Sequence, residues 1–307
     1  MAGITRTEVA SLISEEYGPE VIEAAVQGST ALAAFPNINM GTKTLNMPVL
    51  ATVPEADWVT DTDNTGIKPQ SKATWANKTL VAEEVAVIVP IHENTLDDAN
   101  ADILAAIAAL GGQAIGKKLD QAVFFGTDKP VSWTSPDLVA AATAAGNTVA
   151  VVDGPANTSD IYGAITQVAE MVAGAGFDPG TLIAQRGLSF KLANLRGTDG
   201  RPALTSDGIV GFDTYWNRNG AWEPTEATAI LADPSLVRIG VRQDVTVKFL
   251  DQATLSDGAG GFISLAERDM VALRFKARFA YVLGNPYTAA AGAAAYGVGV
   301  VTPDVTP

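Results

Sequence analysis

Few clusters in this sequence have residue types that could do chemistry, and each fails on spacing. Asp61-Thr62-Asp63-Asn64-Thr65-Gly66 begins like a calcium-binding loop, with acids at the first and third positions and glycine at the sixth. The twelfth position should supply a bidentate carboxylate, but it is Lys72, whose cation opposes metal binding. His92-Glu93 opens a zinc-protease pattern, yet the second histidine would have to stand at Leu96. Asp97, Asp98 and Asp102 gather where a helix is expected to begin, and the helix dipole already accounts for acids there. The chain has 1 histidine and no cysteine, which removes disulfides, thiolate zinc sites, cysteine nucleophiles and any multi-histidine metal centre. No Gly-x-Ser-x-Gly elbow, phosphate-binding P-loop or dinucleotide-binding glycine fingerprint occurs. No catalytic residue, cofactor or metal ion is therefore expected. A carboxylate pair brought together by folding would leave no local signature, so a mixed α/β enzyme stays as an alternative.

The elements that carry these residues suggest a different use for the chain. Its 307 residues can bury a substantial core, and only 18% of them are charged. So little charge suggests that much of the surface is covered by other chains. The net charge of −14 disfavours generic nucleic-acid binding, which relies on cations that neutralise phosphate. No charged-then-apolar leader opens the sequence, and the Ala-rich stretch 288–301 is broken by Gly292, Gly297 and Gly299.

Thr5 and Glu8 form a capping box before Val9, Leu12 and Ile13, which share one helical face. After Gly18-Pro19 a second short helical cluster holds Val21, Ile22, Ala25 and Val26. Strands are expected over 44–50 and 79–91, separated by a long polar connection at 51–78. That connection segregates its charges, with Glu55, Asp57, Asp61 and Asp63 before Lys68, Lys72 and Lys78. It also holds Trp58 and Trp75, and exposed tryptophans favour a surface to pack on. The expectation is a projecting hairpin that docks on another chain. From Asn100 to Phe125 the apolar spacing predicts a helix about 39 Å long, with Gly111-Gly112 marking a bend or a close approach. Further helices are expected after Ser159 and over 188–195. Shorter strands are expected over 148–152, 182–184, 228–232, 237–241 and 245–249. Along 270–283, Val271, Leu273, Phe275, Ala277, Phe279 and Tyr281 point one way, and Arg274, Lys276 and Arg278 the other. Three cations in a row call for solvent or an acidic partner, such as the acidic half of a neighbour's hairpin.

Several segments together resemble the major capsid protein family of tailed bacteriophages. Ala56-Asp57-Trp58-Val59 and Gln70-Ser71-Lys72-Ala73-Thr74-Trp75 are similar to that family's extended loop. Ile88-Val89-Pro90-Ile91 with the acidic turn to Asp98 resembles the approach to its long spine helix, and Leu119-Asp120 through Phe125-Gly126 resembles the end of that helix. Leu195-Arg196-Gly197-Thr198-Asp199-Gly200-Arg201-Pro202, the strand Val237–Arg242 and the stretch from Asp269 through Asn285-Pro286-Tyr287 follow in the family's order.

The resemblance implies an α+β capsid fold. Its parts would be an N-terminal arm (1–43), an extended loop with flanking strands (44–91), a peripheral domain with the spine helix (92–147), an axial domain (148–251), peripheral return strands (252–287) and a C-terminal tail (288–307). It implies a structural protein that self-assembles into hexamers and pentamers of an icosahedral shell around double-stranded DNA, without sequence-specific binding. Scaffolding, portal and decoration proteins would be further partners, with assembly in the bacterial host cytoplasm and residence in the virion capsid; no membrane partner is implied. The hairpin interface candidates are Trp58, Asp61, Asp63, Lys68, Lys72 and Trp75; those on the strand are Arg274, Lys276 and Arg278. The extended-loop region starts too early to leave room for an internal scaffolding segment, so scaffolding, if needed, is expected from another protein, or that segment was removed. Lys68 and Lys72 have no matched asparagine and carboxylate, so no subunit cross-link is expected. A protein nanocompartment shell of the encapsulin kind is the alternative within the same fold.

Overall fold

The computed structural model describes residues 28–56, 58, 70–94, 103–151, 161–194, 211–256 and 261–303. The N-terminal helices expected before Gly28 lie outside them, as do most of the hairpin loop and the Leu195–Pro202 segment.

The described residues open with a short helix α1 (Thr30–Ala34), capped by the Ser29 hydroxyl, which accepts from Leu32 N. A three-residue strand β1 (Asn37–Asn39) leads to a hairpin of β2 (Thr44–Thr52) and β3 (Thr74–Val81). The apolar run 79–91, expected as one strand, is two. It breaks at the buried Ala82, whose N–H donates to Lys43 O, and β4 (Glu83–His92) follows. The two strands serve different partners, because β3 pairs with β2 and β4 pairs with β12 (Met270–Leu283).

The long helix α2 spans Ile103–Phe124. Its 22 residues measure about 33 Å at roughly 1.5 Å per residue. It lies across β4 and β12, and the close approach expected at Gly111 is real. A Cβ there would sit 2.7 Å from the ring of Phe275, so any larger residue would push the helix off the sheet. Helix α3 (Leu138–Ala145) escaped the sequence reading because its eight residues are all alanine, threonine, leucine or valine, without amphipathic contrast. Its ends are nonetheless well marked. The Asp137 carboxylate accepts from Ala140 N, and Gly146 closes it at φ 73°.

Two sheets share the principal core; β10 (Thr254–Ser256) with β11 (Phe262–Ser264) and β13 (Tyr287–Thr288) with β14 (Ala293–Ala294) form further two-stranded pairs. One has the order β1-β9-β12-β4, with β9 spanning Val237–Leu250. The sequence reading splits β9 in two at 242–244, where the ladder shifts register opposite Lys276 to Phe279. The other has the order β5-β15-β8-β6-β7, with β5 at Thr148–Ala150, β6 at Thr181–Gln185, β7 at Asp213–Asn217, β8 at Ala229–Ala232 and β15 at Val298–Thr302. Strand β15 is fully inside this sheet, parallel to β5 and antiparallel to β8. Residues 298–302, which the sequence reading leaves in the tail, thus return to pack beside the middle of the chain. Only five residues form the strand, too few to stand out beside an Ala/Gly-rich stretch. One face of the five-stranded sheet joins the principal core through Ile183, Ile230 and Val300. The other is covered by α4 (Ile161–Gly174) and α5 (Arg186–Asn194), around Ile165, Val168 and Leu182.

Candidate assembly surfaces

Strand β12 divides its side chains as its period of two requires. Val271, Leu273, Phe275, Ala277, Phe279, Tyr281 and Leu283 are all buried in the principal core. On the opposite face, Ala280 and Val282 are buried beneath Met40, Leu80 and Ala82 at the base of the β2-β3 hairpin. The hairpin base ends its cover there, and Arg278, Lys276 and Arg274 continue the row. Arg274 stands beside Ile88 on one side and Lys248 on the other, Lys276 between Ala86 and Thr246, and Arg278 between Glu84 and Gln243. Arg274 facing Lys248 is a like-charge pair, of a type that costs up to about 1 kcal/mol in a sheet. Lys276 finds compensation inside the chain, its Nζ lying 2.6 Å from Glu84 Oε2. Among the described residues the two arginines find no such carboxylate, and their Nε atoms are buried without a hydrogen-bond partner. Sequence alone does not distinguish the three cations; the fold separates one paired lysine from two arginines whose Nε atoms lack an acceptor among the described residues.

The hairpin projects from this face. Near its open end the stem is held by side chains: the Thr52 hydroxyl accepts from Thr74 N and lies 2.7 Å from the Thr74 hydroxyl, and Ser71 Oγ accepts from Glu55 N. Thr79 Oγ1 donates to Asn46 Oδ1 lower down. Almost none of the hairpin is buried, with Leu80 the exception among the residues of β2 and β3. Trp58 is 94% exposed and Trp75 66% exposed, and Lys72 is exposed beside them. Asp61, Asp63 and Lys68 lie outside the described residues. An isolated two-stranded hairpin is marginal in water, so a projecting one with two bare indoles is stable mainly when something covers it.

Nothing in the described residues forms a reaction centre. His92 ends β4 at the surface, its Nδ1 accepting from Asn94 N. Three cavities lined by described residues measure about 150 to 290 Å³ and are mainly apolar. Where one is lined by Glu84, Lys118 and Asp128, these charges are already engaged, Glu84 by Lys276 and Asp128 by Lys118. No three acidic or histidine residues among the described ones come together to hold a metal ion. No helix among the described residues is long and apolar enough to cross a membrane.

The one fully buried carboxylate among the described residues, Asp120 on α2, is a structural node. Oδ1 accepts from Ser29 Oγ at 2.5 Å and Ala31 N at 2.9 Å. Oδ2 accepts from Thr30 N at 2.9 Å, Asn219 Nδ2 at 2.7 Å and Asn217 Nδ2 at 3.2 Å. Burial pushes its carboxyl above the ordinary value, and the donors of Ser29, Ala31, Thr30 and Asn219 pull only partly the other way. The node ties the start of the described chain, the long helix and the end of β7 together. The sequence shows Asp120 inside a helix-closing motif but not its partners, which lie 89 to 99 residues away.

A chain with two packed sheets, no reaction centre among its described residues, an uncovered hairpin and a face of unmatched arginines has the form of a building block of an assembly. The family model described as phage capsid family matches residues 10–292, and the chain belongs to that family. A solved structure from Mycobacterium phage Adephagia is 59% identical, with a TM-score of 0.89 and 100% of both chains covered. One from Microbacterium phage Oxtober96 is 41% identical at a TM-score of 0.83, covering 99% of this chain and 100% of that one. The capsid of a native GTA particle, computed with C5 symmetry, shares the fold at 14% identity and a TM-score of 0.66, with 96% of each chain covered. Among curated proteins none matches. The protein is thus a structural, non-enzymatic major capsid protein, self-assembling into capsid oligomers and residing in the virion capsid.

Proposed function

We propose that copies of this chain form hexamers and pentamers that close an icosahedral shell around double-stranded DNA, each hairpin lying across a neighbouring copy. The observation that carries this reading is the half-buried pair Arg274 and Arg278, whose Nε atoms have no hydrogen-bond partner among the described residues, on the face of β12 next to Ala280 and Val282 under the hairpin base. The segment with matching charge is the acidic half of the hairpin loop, with Glu55, Asp57, Asp61 and Asp63. A neighbour's loop laid along this face would bring carboxylates to both guanidinium groups, in the bidentate geometry arginine favours. Trp58 and Trp75 would then be buried between copies, with Lys68 and Lys72 at the rim of the contact. On this reading the four-stranded sheet with α2 is the peripheral domain and the five-stranded sheet the axial domain near the capsomer axes. The charge of −14 suits a container that holds DNA without adhering to it. Assembly would take place in the host cytoplasm, with scaffolding, portal and decoration proteins as further partners.

The test is a charge exchange. Arg274→Glu with Arg278→Glu should abolish assembly in sedimentation velocity, leaving folded small species. Adding Asp61→Lys and Asp63→Lys should restore at least part of it. Normal assembly by the arginine double variant would refute the docking; failure of the exchange to rescue would assign the arginines another partner.

A further inference from the structure

Two cations share a trough at the base of the hairpin. Leu45 and Leu80, paired across β2 and β3, lie on the face that covers β12, and the next pair on that face is Met47 with Lys78. Period two thus puts a half-buried lysine where the pattern of the hairpin's inner face is apolar. Arg238 on β9 stands beside the buried Val282 of β12 and is half-buried too. Its Nη1 donates to Pro234 O at 3.0 Å and to Val237 O at 2.9 Å. That holds the guanidinium in place and leaves the N–H groups of Nε and Nη2 without an acceptor among the described residues. Lys78 and Arg238 both line a trough of about 230 Å³, with Ser235 and the apolar side chains of Met47, Leu236, Val282 and Pro286. Among the described residues neither cation has an ion-pair partner. Asp233, the carboxylate nearest Arg238 in sequence, is buried and already accepts from Asp178 N and Ser235 N.

We propose that this trough binds a carboxylate carried on an apolar segment, and that a second copy of the chain supplies it. The lining selects that chemistry. A guanidinium fork matches the two oxygens of a carboxylate, and the lysine adds a point charge beside it. The apolar walls take the stem that carries the carboxylate, whereas a bare inorganic anion would leave them in contact with water. Half-buried cations keep part of their desolvation cost until a counter-charge arrives, so the site gains most from an occupant that also excludes water. Charge complementarity selects a second copy as the source, because the chain has 34 acidic residues against 20 basic ones. The trough also lies along the flank of the hairpin, so the neighbour on which the hairpin is laid is the chain that reaches it. In that respect the site rests on the docking proposed above.

The test uses particles assembled from an equal mixture of isotopically light and heavy full-length protein. A water-soluble carbodiimide joins a lysine amine to a carboxylate in contact with it, and mass spectrometry then reads the joined peptides. Lys78 should be joined to an aspartate or glutamate in mixed light–heavy pairs, which only two copies can give. Light–light and heavy–heavy pairs alone would put the carboxylate in the same chain and overturn the proposal. No link at Lys78 in particles that do form would overturn this site and leave the docking of the hairpin standing. Lys78→Gln supplies a second reading, because Lys78 has no hydrogen bond or ion pair among the described residues to lose. Its unassembled form should unfold at the native urea midpoint, while the concentration needed for assembly rises about tenfold or more. Lys78→Arg should restore assembly. Native-like assembly by Lys78→Gln would refute the site.

Discussion

Replacing Asp120 by asparagine keeps its size and removes one of two carboxylate oxygens, and the surrounding geometry determines the cost. If the new amide nitrogen replaces Oδ2, it confronts Thr30 N and the side-chain amides of Asn217 and Asn219, all donors. Asn219 cannot simply flip, because its Oδ1 already accepts from Ala221 N. The cheaper choice places the nitrogen at Oδ1, where the Ser29 hydroxyl can turn and accept, but Ala31 N is left buried without an acceptor. One orphaned buried N–H costs about 1–3 kcal/mol. The bonds that remain lose their charge-assisted strength, about 1 kcal/mol more between them. Relief from burying a charge offsets part of this, so the expected loss is about 2–3 kcal/mol. At an m-value of roughly 1–3 kcal/mol per molar urea, the unfolding midpoint of unassembled protein should fall by about 1 M. The pH dependence has a definite sign. Because burial raises the folded carboxyl above its ordinary 3.8, its stabilisation is fully present below that value and is lost as pH rises through the folded value. The stability advantage of the native protein over Asp120→Asn should therefore shrink as pH rises from about 4 toward neutrality. A midpoint within about 0.2 M of the native one, or an advantage that grows with pH, would refute this account of the node.

Other consequences can be checked with the same assays. Trp133 donates from Nε1 to Val81 O at 2.9 Å at the hairpin base and packs 5.9 Å from the Tyr281 ring. Trp133→Phe should cost about 1–2 kcal/mol in urea unfolding and loosen hydrogen exchange at 79–82. Gly111→Ala gains helix propensity but drives a methyl into the Phe275 ring. Overpacking at about 1–3 kcal/mol should outweigh the gain of about 1 kcal/mol, giving a net loss in thermal unfolding. Asp128 is held below its ordinary value by its bond to Lys118, yet both are at the surface. Asp128→Asn should leave stability at neutral pH nearly unchanged in the same unfolding assay, because solvent screens so exposed a pair; whatever it contributes is present above the unfolded carboxyl value and lost on acidification.

How far the sequence reveals this molecule depends on whether the partners are local. The alternation along 270–283 is legible because every second residue from Val271 to Leu283 enters one core, and period two survives any choice of neighbour. The long helix is legible for the same reason, with a sustained spacing that ends at Phe124. The run at 79–91 is misread because composition cannot show that Leu80 packs under the hairpin while Ile91 joins the principal core. Helix α3 and strand β15 are missed because alanine-rich and five-residue elements carry little periodicity. For the assembly surface, exposed Trp58 and Trp75 and the basic row of β12 can be anticipated from residue type alone. That Glu84 pairs Lys276 and leaves both arginines unmatched cannot, because β4 and β12 are joined only by folding.

The central claim, that this chain exists to assemble with itself, is tested most directly by the particle mass of the purified protein, by light scattering together with negative-stain microscopy. The account predicts closed shells, or rings of five and six subunits, and their loss in a Trp58→Ala, Trp75→Ala double variant that remains folded. A native protein that stays monomeric at high concentration, even with a scaffolding protein present, would contradict it.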